Sequence, residues 1–166
     1  MTEDRRQNYA TSTKTSRTDA MNSAVRILAN RDHSKYELKQ KLRQRGFASK
    51  VIGTVMMECE RLNYINDHRT AHVYISQLKR KCFGKRYIRM ALKKKRLSST
   101  AIENFLLENY PEADEHESAG KLLEKKRETF GREADLKKRR DKMYRFLYSR
   151  GFSTTVISDV IRHLVK

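Results

Sequence analysis

Two short stretches decide the fold: RQRGFASKVI at residues 43–52 and YSRGFSTTVI at residues 148–157. Both contain Arg-Gly-Phe, then three residues, then Val-Ile. A repeated phrase indicates a repeated structural unit, so further copies are expected between them. The stretch KRLSSTAI at 95–102 keeps the same frame, with Arg96 in place of the glycine. The sequence therefore predicts three tandem copies of one unit.

A helix is predicted before each turn, because apolar residues recur there four positions apart and so share one helical face. Gly46 and Gly151 follow two of these helices. Helices often end at a residue in the left-handed conformation, which glycine adopts at little energetic cost. The middle copy departs from the pattern at Arg96, which carries a side chain in that position. The apolar pairs that define the three helices are Leu38 and Leu42, Ile88 and Leu92, and Met143 and Leu147.

A second helix is predicted after each turn, and a third before each pair. The total is nine helices in three groups of three. Serine side chains stand after each turn, where they can accept a hydrogen bond from the first backbone N–H groups of the next helix. The predicted N-cap serines are Ser49, Ser98 or Ser99, and Ser153.

The predicted fold class is all-α, with three-helix repeats at residues 20–65, 66–110 and 111–166. Units of roughly 45 residues are marginal alone, so neighbouring repeats are expected to pack into an elongated, curved array. Residues 1–19 are polar and rich in Ser and Thr, which predicts a disordered tail. The acidic stretch ENYPEADEHE at 108–117 is interpreted as the link between the second and third repeats.

Composition limits the function. The chain has 166 residues, 35% of them charged, and a formal net charge of +18, which predicts an acidic partner. No apolar run is long enough to span a membrane, and the N-terminus has no apolar core typical of a secretory signal. Cys59 and Cys82 do not form the pattern of a disulfide framework. A cytoplasmic protein is expected.

Three segments of the chain resemble the RecX family, the bacterial regulators of RecA recombinase. They are RILANRDHSKYELKQKLRQRGF at 26–47, LNYINDHRTAHVYI at 62–75 and GKRYIRMAL at 84–92. The resemblance covers about residues 20–166. It implies a non-enzymatic protein that binds RecA filaments, chiefly on single-stranded DNA, and inhibits their recombinase, ATPase and SOS co-protease activities. It also implies docking through a basic face in the groove of the filament.

A basic surface is also predicted from the residues themselves. Residues 79–96 contain ten Lys or Arg and no acid. The helix that starts at Lys85 is expected to carry cations on the side opposite its apolar stripe, and basic runs recur in the other two copies. The predicted partner-binding residues are Lys85, Arg86, Arg89, Lys93, Lys94 and Arg96 in the second copy, Lys137, Lys138, Arg139, Arg140, Arg145 and Arg150 in the third, and Lys39, Arg43 and Arg45 in the first.

No catalytic, cofactor or metal site is predicted. His68 and His72 have helical spacing for two metal ligands, but no HExxH motif and no third ligand accompany them. Gly84-Lys85 lacks the flanking residues of a P-loop. Cys59 lies within an apolar stripe and is interpreted as a core residue. A monomeric binding protein, not an enzyme, is expected.

The alternative function is nonspecific DNA binding by tandem helix-turn-helix-like units. Sequence-specific reading is disfavoured, because the helices after the turns begin ASKVIGT, SSTAIEN and STTVISD and carry few base-reading side chains. Nonspecific contact with phosphates stays open. Tyr87 and Tyr144, beside basic residues, can stack on a base. Membrane binding lacks the large apolar face that such helices need.

Overall fold

The computed structural model describes residues 14–164, and this part of the chain is helical throughout apart from turns and one isolated β-bridge between Lys14 and Phe47. The predicted all-α fold of tandem three-helix repeats is confirmed. The helices are α1 Arg17–Asn30, α2 Lys35–Gln44, α3 Ser49–Arg61, α4 Asp67–Arg80, α5 Lys85–Lys94, α6 Ser99–Asn109, α7 Glu112–Lys125, α8 Arg127–Gly131, α9 Leu136–Ser149 and α10 Thr154–Leu164.

The chain divides into two compact units. The first ends at Asn66 and contains α1 to α3. Its core joins the small face of α1, with Ala20 and Ala24 fully buried, to Leu38 and Leu42 of α2. Alanine on α1 lets the helices approach closely, and burial of the leucine side chains stabilises the unit together with the other apolar residues of the core.

The second unit begins at Asp67 and contains two three-helix groups, α4 to α6 and α7 to α10. Ile88, Leu92 and Ile102 are fully buried in the core of the first group. Leu147 and Ile157 are fully buried at the matching positions of the second. The apolar residues that define the repeat in the sequence are therefore the ones that build each core.

Helix starts agree with the prediction in two repeats and differ in the first. The hydroxyl of Ser98 accepts a hydrogen bond from a backbone N–H of α6, and that of Ser153 does so at α10. The prediction for Ser49 is wrong. Ala48 occupies the N-cap and has no side chain able to cap, so Ser49 is already inside α3.

The N-terminal helix starts earlier than the predicted end of the tail at residue 19. Ser16 caps α1 by accepting from the N–H of Asp19, and the helix begins at Arg17. The backbone of Lys14 forms hydrogen bonds with that of Gly46 and Ala48, in the turn between α2 and α3. The remainder of the predicted tail, residues 1–13, lies outside the described residues.

The acidic stretch predicted to link repeats two and three is mainly helix. Pro111 is the N-cap of α7, and three acids fall in the first turn of that helix, where its dipole stabilises negative charge. The chain leaves helical conformation at Lys126 and resumes as the short α8, which buries Phe130. This break is why residues 14–164 contain ten helices where nine are predicted.

The three turns that define the repeat share one backbone conformation. Gly46 and Gly151 have φ of 82° and 83°, in the left-handed region. Arg96 has φ of 60° and so adopts that conformation despite its side chain, at a cost of roughly 1–2 kcal/mol. The middle turn therefore keeps the left-handed geometry although Arg96 replaces the glycine.

Candidate partner-binding surface

The N-terminus of α5 lies directly on the turn that follows α9. The N–H of Gly84 donates to the carbonyl oxygen of Arg150, and the N–H of Arg86 donates to that of Gly151, each at 3.0 Å. A Cβ atom at Gly84 would lie 2.4 Å from the carbonyl carbon of Gly151. Only glycine permits this approach, so repeats two and three join through two backbone hydrogen bonds.

A buried carboxylate completes this junction. Glu115 of α7 is 2% exposed, and its Oε1 accepts a hydrogen bond of 2.8 Å from the N–H of Lys85 at the start of α5. Burial raises the pKa of the Glu115 carboxyl, and the hydrogen bond from Lys85 opposes that rise. Gly84 has no side chain to cap α5, so the cap comes from another repeat.

Sequence reasoning missed this role of Glu115 because it treated the acidic stretch as a link. The signal was available: a helix that starts after Gly84 with no Ser, Thr, Asp or Asn needs a distant acceptor. The neighbouring Asp114 forms an ion pair with Lys79 of α4, which ties α7 to repeat two a second time.

The cations in the first half of α5 make contacts within the protein. The guanidinium of Arg86 lies 4.1 Å from the ring centroid of Tyr148 and donates weakly to the carbonyl oxygen of Phe152. Arg89 donates to both carboxylate oxygens of Glu103, at 2.6 and 2.8 Å. This pair holds the pKa of Glu103 below its ordinary value. Both arginines are half-buried.

Two further predicted residues also serve the fold. The Arg150 guanidinium lies 5.1 Å from the ring centroid of Phe83 and 5.7 Å from that of Phe146, so it bridges repeats two and three. Arg139 is half-buried and donates to the carbonyl oxygen of Glu133. Cation–π contacts of this kind contribute roughly 0.5–2 kcal/mol each.

The second half of α5 presents its cations to solvent. Lys93 and Lys94 in its last turn are exposed, as is Arg96 in the turn that follows. The same holds for most of the predicted residues on α9 and for all of those on α2. Exposed on α9 are Lys137, Lys138, Arg140 and Arg145, and exposed on and just after α2 are Lys39, Arg43 and Arg45.

The other candidate residues take structural positions. His68 lies edge-on to the ring of Phe105, with centroids 4.9 Å apart, and burial raises the pKa of the Cys59 thiol. Within residues 14–164, no group of three or more His, Cys, Asp or Glu could hold a metal ion. None of the described helices is long and apolar enough to cross a membrane.

A groove of about 720 Å³ lies between α4 and α7. Lys79 and Lys121 line it, but the first is paired with Asp114 and the second with Glu117, 2.7 Å away. These ion pairs reduce the positive charge of the groove to which the exposed Arg80 also contributes. The exposed cations of α5 and α9 in the second unit, and separately those of α2 in the first unit, are the better candidates for contact with an acidic partner.

Fold and surface together define a helical repeat protein whose exposed cations suit an acidic partner. Models of the RecX domains match along most of the chain: the first three-helix domain at residues 20–59, the second at 66–106 and the third at 113–161. The chain belongs to the RecX family.

Curated relatives and a solved structure agree with this assignment. The regulatory protein RecX of Vibrio vulnificus is 39% identical over 131 residues, which are 79% of this chain and 83% of the relative. That of Legionella pneumophila is 35% identical over 149 residues, 89% and 95% of the two chains. The crystal structure of RecX from Lactobacillus salivarius has the same fold, with a TM-score of 0.81, 23% identity, and coverage of 89% of this chain and 96% of that one.

Proposed function

We propose that this protein binds filaments of RecA recombinase on DNA and restrains their recombinase, ATPase and SOS co-protease activities. Membership of the RecX family of regulatory proteins is the observation that carries the proposal. The net charge of +18 supports an acidic partner. The protein acts in the cytoplasm, as a monomer, without a cofactor and without catalysing a reaction of its own.

The proposed contact surface consists of the exposed cations of α5 and α9 in the second unit, and the exposed cations of α2 are a separate candidate contact in the first unit. Lys93, Lys94 and Arg96 stand at the end of a helix whose opposite side is fixed in the core by Ile88 and Leu92. A rigid helix that presents cations can lie along an acidic groove without reordering its backbone. Each screened contact contributes roughly 0.2–1 kcal/mol, so several must act together.

Two of the predicted contact residues on α5 have a different proposed role. Arg86 lies over the ring of Tyr148, and Arg89 donates hydrogen bonds to Glu103. Reversing the charge of either arginine breaks these internal contacts as well as any contact with a partner. We therefore assign them to the support of the surface. Variants of Lys93 and Lys94 test docking without that complication.

The alternative function, nonspecific DNA binding by helix-turn-helix-like units, is supported less well. The helices after the turns, α3, α6 and α10, begin with small or apolar residues, and Glu103 on α6 is bound to Arg89. Base-reading cations are missing from their described first turns except for Lys50. Contact with DNA phosphates by the α5 and α9 cations is compatible with either function.

Inhibition of DNA-dependent ATP hydrolysis by RecA tests the proposal. The double variant Lys93→Glu, Lys94→Glu should need at least ~5-fold more protein for half-inhibition, since two contacts together contribute roughly 1 kcal/mol. The matched control is Lys125→Glu, Lys126→Glu, an exposed lysine pair at the end of α7. Equal inhibition by both variants and the wild type would remove the end of α5 from the proposed surface, and no inhibition by the wild type would overturn the function.

A further inference from the structure

Three planar side chains form a row beside the junction of repeats two and three. The rings of Tyr144 and Tyr148, one turn apart on α9, lie 12° from parallel with centroids 6.1 Å apart. The guanidinium of Arg86 lies over the Tyr148 ring at 4.1 Å. Both tyrosines stay exposed, at 36% and 46%. We call these three residues the aromatic stripe.

The aromatic stripe is more exposed than the fold requires. Tyrosine buries a large apolar ring when it serves a core, whereas these two leave much of that surface in water. The core side of α9 is occupied instead by Met143 and Leu147, which are buried. The two tyrosines therefore lie outside the apolar face by which α9 packs into its core, and only Tyr148 contacts Arg86 of α5.

Cations flank the stripe at the end away from Arg86. Arg140 precedes Tyr144 by one helical turn, and both line a shallow groove of about 310 Å³ between α9 and α10. Arg162 and Ile161 of α10 also line it. Asp141 lies there too, and Arg162 is 3.5 Å from Asp159, so the groove mixes two arginines with acids on its rim.

We propose that the aromatic stripe and this groove bind single-stranded nucleic acid through stacking of its bases. Every base has a π-face that can stack on a tyrosine ring or a guanidinium, so the contact needs no particular sequence. Cations at the edge of such a platform attract the phosphates between successive bases. A duplex is excluded from this contact because its bases are already stacked on one another.

The chemistry separates this partner from an acidic protein. An acidic peptide would gain from Arg140 and Arg162, but its carboxylates gain little from the face of a tyrosine ring, which carries the negative end of the ring quadrupole. Bases can stack on both rings. The inference does not require the proposed function, because strand binding is tested without RecA present. The groove shares Arg140 with the cations proposed to contact the filament.

Fluorescence anisotropy with two labelled strands of equal length tests the proposal. One is an oligothymidylate and the other an abasic strand, which has the same phosphates and no bases. The wild-type protein should bind the oligothymidylate roughly 10-fold more tightly or better. The variant Tyr144→Leu, Tyr148→Leu should lose this preference while its affinity for the abasic strand stays unchanged. The chain has no Trp, so quenching of tyrosine fluorescence provides a second readout.

The controls keep the outcome decisive. Tyr144→Leu alone leaves the contact between Arg86 and Tyr148 in place, so it reports on stacking even if the double variant is less stable. Tyr64→Leu, at an equally exposed tyrosine in the first unit, should bind both strands as the wild type does. Equal wild-type affinity for the two strands, or an undiminished preference in the Tyr144 variant, would overturn the proposal.

Discussion

The turn at Gly46 and the turn at Gly151 share the sequence Arg-Gly-Phe and a left-handed glycine, but their surroundings differ. A Cβ atom at Gly46 would meet nothing within 4 Å, whereas one at Gly151 would lie 2.5 Å from the backbone nitrogen of Tyr87. Both carbonyl oxygens accept a backbone hydrogen bond, from Lys14 in the first case and from Arg86 in the second. One glycine is needed for its φ alone, and the other is needed for its φ and its size.

This difference shows how one repeated unit serves two purposes. In the first repeat the edge of the turn is occupied by the short segment that precedes α1. In the third repeat the same edge receives a whole helix of the second repeat. Repeats two and three consequently form one compact unit, whereas repeat one forms a unit by itself.

The largest expected effect is a difference in stability between alanine variants of the two glycines. Gly151→Ala should lower the free energy of unfolding by roughly 2–5 kcal/mol, because it adds overpacking against Tyr87 to the strain of a left-handed alanine. Gly46→Ala carries the strain alone and should cost roughly 1–2 kcal/mol. Urea unfolding followed by circular dichroism measures both.

Gly84→Ala provides the control, since Gly84 does not have a positive φ and its Cβ would still meet the backbone of Gly151. It should cost roughly 1–3 kcal/mol through overpacking only. If Gly84→Ala and Gly151→Ala both cost no more than Gly46→Ala, the close junction is not what distinguishes the turns.

For the middle turn, we expect that restoring the glycine increases the stability of the protein. Arg96→Gly should raise the free energy of unfolding by roughly 0.5–1 kcal/mol, the relief of left-handed strain less the greater chain entropy that glycine loses. Thermal unfolding of the variant against the wild type checks this value. A loss of stability would mean that contacts of the Arg96 side chain outweigh the strain.

The caps that follow the turns extend the comparison to smaller effects. Ser153→Ala should destabilise by about 1 kcal/mol because it leaves the Val156 N–H without its acceptor. Ala48→Ser, at the matching position of repeat one, should stabilise by roughly 0.5–1 kcal/mol because α3 has no side-chain cap. Opposite signs in urea unfolding support the alignment of the two turns, and equal signs would contradict it.

Glu115 adds a pH dependence to the junction of repeats two and three. Its pKa is raised on folding above 4.5, so the folded state holds the proton more tightly and Glu115 favours folding less as pH rises from about 4.5 towards neutral. Lys85, Arg89 and His116 surround the carboxyl and limit the effect.

Glu115→Gln keeps an acceptor for the N–H of Lys85 and removes this titration. The free energy of unfolding of the variant, relative to the wild type, should therefore increase from acidic to neutral pH. Urea unfolding at a series of pH values measures the difference. A difference that is constant with pH, or that decreases, would show that Glu115 does not titrate at the junction as described.

The sequence allowed the repeat, the turns and the cores to be predicted because each depends on local spacing. Leu38, Ile88 and Met143 recur in one frame, and apolar periodicity is a property of the chain itself. Helix ends were less predictable: Ala48 takes a cap position one residue before the expected Ser49, since backbone conformation decides which residue is the cap.

The candidate surface was predictable only in part. Lys93 and Lys94 are exposed as expected, but Arg86, Arg89 and Arg150 contact aromatic or acidic residues brought close by tertiary structure. A run of cations in sequence does not say which members a neighbouring helix will cover. The role of Glu115 depends on a contact between residues 30 positions apart. The uncapped start of α5 indicates that an acceptor is needed, but no local pattern says which residue supplies it.

Retention of the protein on three immobilised baits tests the central functional claim most directly: RecA alone, single-stranded DNA alone, and RecA assembled on that DNA. The proposed function predicts the strongest retention on the assembled filament, weakened when Lys93 and Lys94 are changed to Glu. Salt should weaken it further, because it shortens the Debye length below ~10 Å. Equal retention on DNA alone and on the filament would contradict the claim and favour a nonspecific DNA-binding protein.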